Sequence, residues 1–435
     1  MKALLIITPA QGHYSATFSL VDSLTHLGYL TYISTNIEYE SNLKSLGYNT
    51  CILNAIPFGL DYDLYGDYST SQLKEILSER MEFKIYESRK LELENIIENV
   101  APDLVFIDSH NSTDFIPLYR ILKKNKCKLF FLQTTLSTSL CWNSPHLTSA
   151  YSPDKPVKIL IENTLIKANL LKNRFFEWVK FMGFDDKSTI KKKFTQENIN
   201  KKYALKWTYP IGCTFNSIDT IAVSPIELEF NTTIHDTIYL GTSVMQATES
   251  AINGQGHFKK ELLYVSFGTL NIHKTRIIET FLDKLNEVLY ELPNVKTIVT
   301  VGKNMALYNS NQSRWNQIQL LQYVDQKDIL KSCDFFISHG GLNSIKEAIH
   351  FNVPMLIYPL EGDQFGNAQK VKYHNLGLTG NIELITQESL KSNLSILIKE
   401  RSKYKSNLQD FNQRISNYNS TEVLLKAINK AKILE

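Results

Sequence analysis

One stretch of the chain gathers the groups needed to hold a phosphate. Phe335-Phe336-Ile337-Ser338 runs into His339-Gly340-Gly341, then into Leu342-Asn343-Ser344-Ile345-Lys346-Glu347-Ala348. A buried strand that ends in a Gly-Gly turn and opens a helix lets the backbone approach a ligand. The first helical N–H groups and the positive end of the helix dipole then point at it. His339, Asn343 and Ser344 add side-chain donors, and together with Gly341 they suit a diphosphate. Glu347, one turn further on, is acceptor-only when ionised and can take hydrogen bonds from two vicinal hydroxyls, as a ribose offers. The helix closes at Phe351-Asn352, asparagine being tolerated in a left-handed cap. A strand over Val353–Tyr358 follows, and Asp363-Gln364 lie just beyond its C-terminal end, the edge at which parallel sheets bind ligands. A carboxylate beside an amide matches sugar hydroxyls.

These groups need a scaffold, and hydrophobic periodicity supplies one. Lys2–Thr8 is a nearly continuous apolar run, as in a parallel strand covered on both faces. A polar turn over Pro9–His13 follows, then Phe18, Val21, Leu24 and Leu27 at helical spacing, with Gly28 as a C-terminal stop. Tyr29–Ser34 and Asp103–Ile107 are further strands, the second ending at Asp108. A second series starts near Glu261, with strands predicted at Leu262–Phe267, Lys296–Val301, Gln317–Leu321, Asp334–Ser338 and Pro354–Tyr358. Thr242–His257 is rich in Gly, Ser, Asn and Gln and reads as a linker. The expectation is an α/β chain of two doubly wound domains facing across a cleft: residues 1–241, a linker over 242–257, residues 258–410, and a helix over 411–435 packing back on the first domain.

Bulk properties exclude several classes. The 435 residues exceed what one core usually supports. A formal charge of +3 is too small to make nucleic acid the main partner. Five dispersed cysteines (Cys51, Cys127, Cys141, Cys213 and Cys333) fit a reducing compartment and argue against a disulfide framework or structural zinc. No stretch approaches the apolar length of a membrane span, and the N-terminal run is too short for a secretory signal, so a cytoplasmic, unprocessed chain is expected. Residues 155–206 stand apart, with 13 Lys/Arg against 5 Asp/Glu and interspersed Leu, Ile and Phe. They read as amphipathic helices whose basic face is either solvated or in contact with an acceptor or a membrane surface.

The stretch Phe335–Val371 resembles the signature of the family 1, UDP-dependent glycosyltransferases, reading F-I-S-H-G-G-L-N-S-x-x-E-A, then V-P, then D-Q-x-x-N-A. The resemblance implies the GT-B fold, two facing Rossmann-like domains, and a UDP-sugar donor with no cofactor and no metal. It assigns the diphosphate to His339, Gly341, Asn343 and Ser344, the ribose to Glu347, and the transferred sugar, glucose by this likeness, to Asp363 and Gln364. Gln322-Tyr323-Val324-Asp325-Gln326 falls where the family has its aromatic-x-Pro-Gln uracil site. Tyr323 stands where a stacking Trp is common, Val324 offers backbone groups, Gln326 completes the motif, and Asp325 replaces the usual Pro. Ser266, Gly268 and Thr269 resemble the strand–loop that closes over the phosphates. His13, in Gln11-Gly12-His13, matches the family's catalytic base, with Ala16 where most members have Pro; Asp108 is its partner, with Asp114 and His110 as nearby competitors. An imidazole of near-neutral pKa can take the acceptor's proton while a carboxylate orients it.

The implied reaction is an inverting transfer to a hydroxyl of a lipophilic small molecule. Its pocket is expected around Phe58–Tyr68, Thr134–His146 and the 158–184 stretch. Two other functions stay open: a nucleotide-sugar epimerase on the same architecture, and a non-catalytic nucleotide-sugar-binding subunit. Asp61-Tyr62-Asp63 spells an acidic pair used for manganese in another glycosyltransferase fold, but it lacks the flanking strand and is read as a solvated loop. The chain also lacks the G-x-G-x-x-G of dinucleotide dehydrogenases.

Overall fold

The computed structural model describes residues 1–59, 69–138, 140–142, 144–207, 213–230, 237–241, 260–268, 274–302, 314–416 and 418–435. The first half of the chain builds a seven-stranded parallel sheet in the order β3-β2-β1-β4-β5-β8-β9. Its strands are β1 (Lys2–Ile6), β2 (Leu30–Thr35), β3 (Asn49–Ile52), β4 (Leu104–Asp108), β5 (Lys128–Gln133), β8 (Thr220–Ala222) and β9 (Thr237–Tyr239). Two short strands, β6 (Leu205–Trp207) and β7 (Cys213–Phe215), form a separate antiparallel pair. The second half builds a six-stranded parallel sheet, β12-β11-β10-β13-β14-β15. Here the strands are β10 (Glu261–Ser266), β11 (Val295–Thr300), β12 (Ile318–Leu321), β13 (Phe335–Ser338), β14 (Met355–Ile357) and β15 (Gly377–Thr379). The two doubly wound sheets expected from the sequence are both present.

Both faces of each sheet are covered, which explains why the strands read as unbroken apolar runs. Side chains alternate between two cores. Leu4, Ile6, Val105, Ile107 and Phe131 enter one, while Ala3, Leu5, Phe106, Phe130 and Leu132 enter the other. The second sheet divides in the same way, with Leu263, Val265, Phe335 and Ile337 on one face and Tyr264, Phe336, Met355 and Ile357 on the other.

Each sheet changes winding direction once. The chain runs outward through β1, β2 and β3, then returns to add β4 and β5 on the far side of β1; β10 to β13 repeat the move. A crevice opens beyond the strand ends at each such switch point, between β1 and β4 and between β10 and β13. All the groups singled out from residue 335 onward, and both His13 and Asp108, follow one of these strand ends or the next strand along.

Two local expectations change. The turn predicted over Pro9–His13 is cut short because helix α1 (Gln11–His26) already starts at Gln11, placing His13 in its first turn. The inward positions Tyr14, Thr17, Leu20, Val21 and Leu24 keep one helical face buried from the outset, and Gly12 is the only poor helix former among the first residues. Gly28 ends the run at φ 82° as expected. At the other end of the chain, two helices replace the single one predicted over 411–435. Arg401–Ser416 buries Leu408, Phe411 and Ile415 in the core of the second sheet, whereas Ser420–Lys430 buries Leu424, Ala427 and Ile428 in the core of the first. Lys128 Nζ ties the latter down by donating to the Ile428 carbonyl at 2.7 Å. The linker expected over 242–257 and the Asp61-Tyr62-Asp63 loop lie outside the described residues.

Candidate active site

The first crevice is built from the ends of three adjacent strands. β1 delivers His13 through α1, β4 ends on Asp108, and β5 is followed by Thr134. The register sets Ile6 against Ile107 and Asp108 against Leu132, which brings the three ends level. His13 Nδ1 lies 2.6 Å from Asp108 Oδ2 and 2.9 Å from Thr134 Oγ1. Asp108 is fully buried. Its Oδ1 accepts the backbone N–H of His110 at 3.0 Å, with His110 Nδ1 3.3 Å away. The two imidazoles meet edge to face at 4.5 Å.

Charge follows from this packing. Burial alone would raise the Asp108 pKa, but the two imidazoles and their hydrogen bonds outweigh it and hold the carboxyl well below the usual range. Burial alone would lower the His13 pKa. The Asp108 carboxylate, its hydrogen bond and the charge of Asp363 together carry it above the ordinary 6.5. With Nδ1–H directed at Asp108, Nε2 is the atom free to take a proton. The competitor Asp114 is otherwise engaged: Arg89 Nε and Nη2 donate to its two oxygens at 3.0 and 2.6 Å in a buried pair. Breaking such a pair typically costs about 3–5 kcal/mol, so Asp114 reads as structural.

The second crevice holds the Gly-Gly turn. Pairing of Ser266 with Ser338 aligns the ends of β10 and β13, so Gly268 and His339 become neighbours. The His339 ring fills the space between two glycines: a Cβ on Gly268 would stand 2.8 Å from its Cε1, and one on Gly341 2.8 Å from its Nε2. Burial lowers the ring's pKa to about 4, against the Ser266 backbone and the charge of Glu361, so it is neutral near pH 7. Its Nδ1 is buried without a hydrogen-bond partner. The helix Leu342–His350 starts at Gly341 with no side-chain cap, which leaves its first N–H groups for a ligand. Ser266 closes β10, and its Oγ accepts from Gly268 N at 3.4 Å; Thr269 lies outside the described residues.

Several of the predicted donor-side residues are turned onto protein neighbours. Asn343 Nδ2 donates across the cleft to the Gly12 carbonyl (2.9 Å) and to Ser15 Oγ (3.0 Å). Gln326 Nε2 donates to Glu347 Oε2 at 2.6 Å and to Ser344 Oγ at 3.1 Å, and burial raises the Glu347 pKa. Gln364 Oε1 accepts from Leu360 N (2.8 Å) and Glu361 N (3.1 Å), so its carbonyl supports the loop and its amide nitrogen is the part left for a sugar. Burial raises the pKa of Asp363, which accepts from Asn367 Nδ2 at 3.0 Å. Val324 is partly buried, whereas the Tyr323 ring is 81% exposed. Asp325 caps the helix Gln326–Leu330 through Lys327 N (2.9 Å) and Asp328 N (3.4 Å). That accounts for an Asp where Pro was expected: both residues favour a helix start.

The two crevices face each other. Besides the Asn343 contact, Lys346 Nζ donates to the Val223 carbonyl at 2.7 Å, and Gly366 N donates to the Leu147 carbonyl at 3.0 Å. Burial brings the Lys346 pKa down to about 8.

The chain was compared with known proteins. Residues 244–419 match the family model described as UDP-glucoronosyl and UDP-glucosyl transferase. An uncharacterized UDP-glucosyltransferase of Bacillus subtilis, YdhE, is 20% identical over 99% of this chain and 98% of its own length. Residues 244–419 thus carry the family's sequence pattern, and the likeness to YdhE extends over nearly the whole chain. Two solved structures share the fold over 99% of this chain. The glycotransferase of kitacinnamycin matches with a TM-score of 0.68, 14% identity and 98% of its chain covered. The spinosyn rhamnosyltransferase SpnG, complexed with spinosyn aglycone, matches at 0.65 with 12% identity and 100% covered. The glycosyltransferase thus has the GT-B architecture and transfers a sugar from a nucleotide sugar. From the sequence Thr134 stands only at the start of an expected acceptor-pocket stretch and Asn367 only as a letter of a motif, neither with a role in the site. Thr134 follows the end of a parallel strand, a position signal that was available. Asn367 lies inside the D-Q-x-x-N-A motif, and its Nδ2 links Asp363 to the Gly340 carbonyl at 3.0 Å.

Proposed function

We propose that this glycosyltransferase inverts the anomeric carbon of UDP-glucose in transferring the sugar to a hydroxyl of a lipophilic small molecule, with His13 as general base oriented by Asp108. The reading rests on one observation: a buried, ionised carboxylate 2.6 Å from an imidazole that also feels the charge of Asp363 from the opposite domain. Nε2 of His13 takes the hydroxyl proton as the acceptor oxygen attacks the anomeric carbon. The bond from that carbon to the phosphate oxygen breaks, and its electron pair leaves with UDP. Asp108 stabilises the imidazolium, while the N-terminus of the Leu342–His350 helix, His339 and Ser344 meet the charge that develops on the diphosphate. Ser266 and Gly268 line the turn. Glu347 takes the ribose hydroxyls, Tyr323 stacks on uracil with Val324 and Gln326 beside it, and Asp363 and Gln364 hold the sugar.

No cofactor or metal is part of this proposal. All five cysteines are free, which supports a cytoplasmic site of action. Among the described residues no helix is long and apolar enough to cross a membrane. A lipophilic acceptor is favoured by the aromatic content and by the aglycone bound to SpnG. Incubation with a panel of UDP-sugars and apolar alcohols, followed by mass spectrometry, tests the reading. A glycosylated acceptor supports it, whereas a changed donor sugar with no acceptor adduct would indicate an epimerase.

A second reading has its own observation. The ligating atoms of His13, Asp108 and His110 lie within 4.8 Å of one another, compact enough to hold a cation. Chelator leaves turnover unchanged under proton transfer and abolishes it under a metal mechanism.

A further inference from the structure

The helix Pro156–Lys180 reverses the usual amphipathic plan. Its buried residues are Ile159, Asn163 and Glu177, two of the three polar. Asn163 Nδ2 donates to the carbonyls of Cys141 and Ser144 at 2.6 and 2.9 Å. Glu177 lies 3.6 Å from Arg80 and accepts from Asp186 N at 2.9 Å. At 3.6 residues per turn, the arc opposite this stripe carries Leu160, Ile161, Leu171, Phe175, Trp178 and Val179, each between 49% and 61% exposed. No charged residue interrupts that arc. Lys167 and Arg174 border one side of it, and Lys158, Lys172 and Lys180 the other, where Glu162 is the one acidic residue.

A contiguous apolar surface of this kind marks a docking site, and its rim indicates the partner. The 13 Lys/Arg against 5 Asp/Glu of residues 155–206 sit in a chain whose whole charge is only +3. Pairing this face with a second copy would press lysine rims together. An anionic bilayer satisfies both features: Trp, Phe and Leu enter the boundary between headgroups and acyl chains, and the flanking lysines meet lipid phosphates. Trp142, 52% exposed with the Lys167 ammonium 4.7 Å from its ring centre, extends the face.

We infer that this helix docks the protein flat on an anionic phospholipid surface. On its buried side the helix is tied through Asn163 to the loop that follows Thr134, whose hydroxyl lies 2.9 Å from His13 Nδ1. Docking does not depend on the catalytic reading above and is measured without turnover.

Cosedimentation of the full chain with vesicles of phosphatidylcholine alone, and of phosphatidylcholine mixed with phosphatidylglycerol, tests it. The wild type should pellet with the mixed vesicles and be released by salt. A Lys158→Gln/Lys167→Gln/Lys172→Gln variant should lose that preference by roughly 10- to 100-fold. A Phe175→Ser/Trp178→Ser variant should lose about 10-fold or more on either vesicle. A UDP-induced thermal shift verifies that each variant is folded, and Leu171→Gln replaces the aromatic pair if that pair fails the check. Wild-type protein left in the supernatant with both vesicles overturns the inference, as does undiminished binding by the folded aromatic variant. A dimer that Phe175→Ser dissociates, without vesicle binding, would assign the face to a second copy instead.

Discussion

The two crevices use the same device, a switch in strand order, yet they stand in different states. At the β1–β4 switch the acid–imidazole pair is already assembled: Asp108 is held by His13 and by the His110 backbone, and Thr134 braces the imidazole, although His110 Nδ1 is left without a hydrogen bond. At the β10–β13 switch the groups suited to a ligand rest on substitutes. Asn343 lies on Gly12, Glu347 on Gln326 and Gln364 on its own loop, while His339 Nδ1 has no partner. The first arrangement is organised before any substrate arrives; the second must exchange internal hydrogen bonds for ligand ones. Each exchange nets only about 0.5–1.5 kcal/mol. Damage to the first crevice should therefore appear in kcat and damage to the second in donor affinity.

The hardest test of that division is His13→Ala. Loss of the proposed general base should lower kcat by about 10²–10⁴-fold, with UDP affinity in calorimetry unchanged. A parallel loss of UDP affinity would erase the contrast. Asp108→Asn should cost on the order of 10²-fold or more in kcat through the wrong tautomer. It also carries a pH signature. The base must be neutral to act, so wild-type kcat/KM falls as pH drops through the raised His13 pKa. Without the carboxylate's charge, that acid limb should move to lower pH. A stationary limb would mean another group titrates.

Glu347→Ala sharpens the other side. Under the proposed role of Glu347 as acceptor of the ribose hydroxyls, its removal should weaken UDP binding by roughly 10- to 100-fold, with kcat at saturating donor near wild type. Gly366→Ala probes the contact between the crevices, because the added Cβ would fall 2.0 Å from the Leu147 carbonyl oxygen. Relieving that overlap should cost about 1–3 kcal/mol, measured as a higher donor KM and a lower Tm. The smallest effect is expected from Tyr323→Ala, whose exposed ring makes no core contact that its loss would damage. UDP should bind about 5-fold more weakly through lost stacking while pyrophosphate binding stays the same. Equal weakening of both would remove Tyr323 from the base site.

Much of this was legible from residues alone, but unevenly. The strand, turn and helix that carry most of the proposed donor groups were legible because residues 335 to 364 form one run in which spacing carries the geometry. The first was read from a single histidine and an aspartate 95 residues away, with Asp114 and His110 still competing; Thr134 entered only as the start of an expected acceptor-pocket stretch, not as a partner of the imidazole. The start of α1 was placed too late because Gly12 and the polar residues around it resemble a turn, whereas the buried face of the helix extends back to Tyr14. The basic middle segment was recognised as amphipathic, but which of its faces looks outward was not decided.

Residue patterns alone marked eight of the parallel strands and the turn-helix that follows β13, since hydrophobic period and turn residues act over a few positions. Which strands lie side by side became visible only in the folded chain. That arrangement set Asp108 rather than Asp114 on His13, brought Thr134 beside both, turned the apolar arc of the Pro156–Lys180 helix to solvent and set Gly366 against Leu147. The physical reason is the same each time: contacts between distant segments follow from strand order and register, which emerge when the whole core packs and leave no local mark.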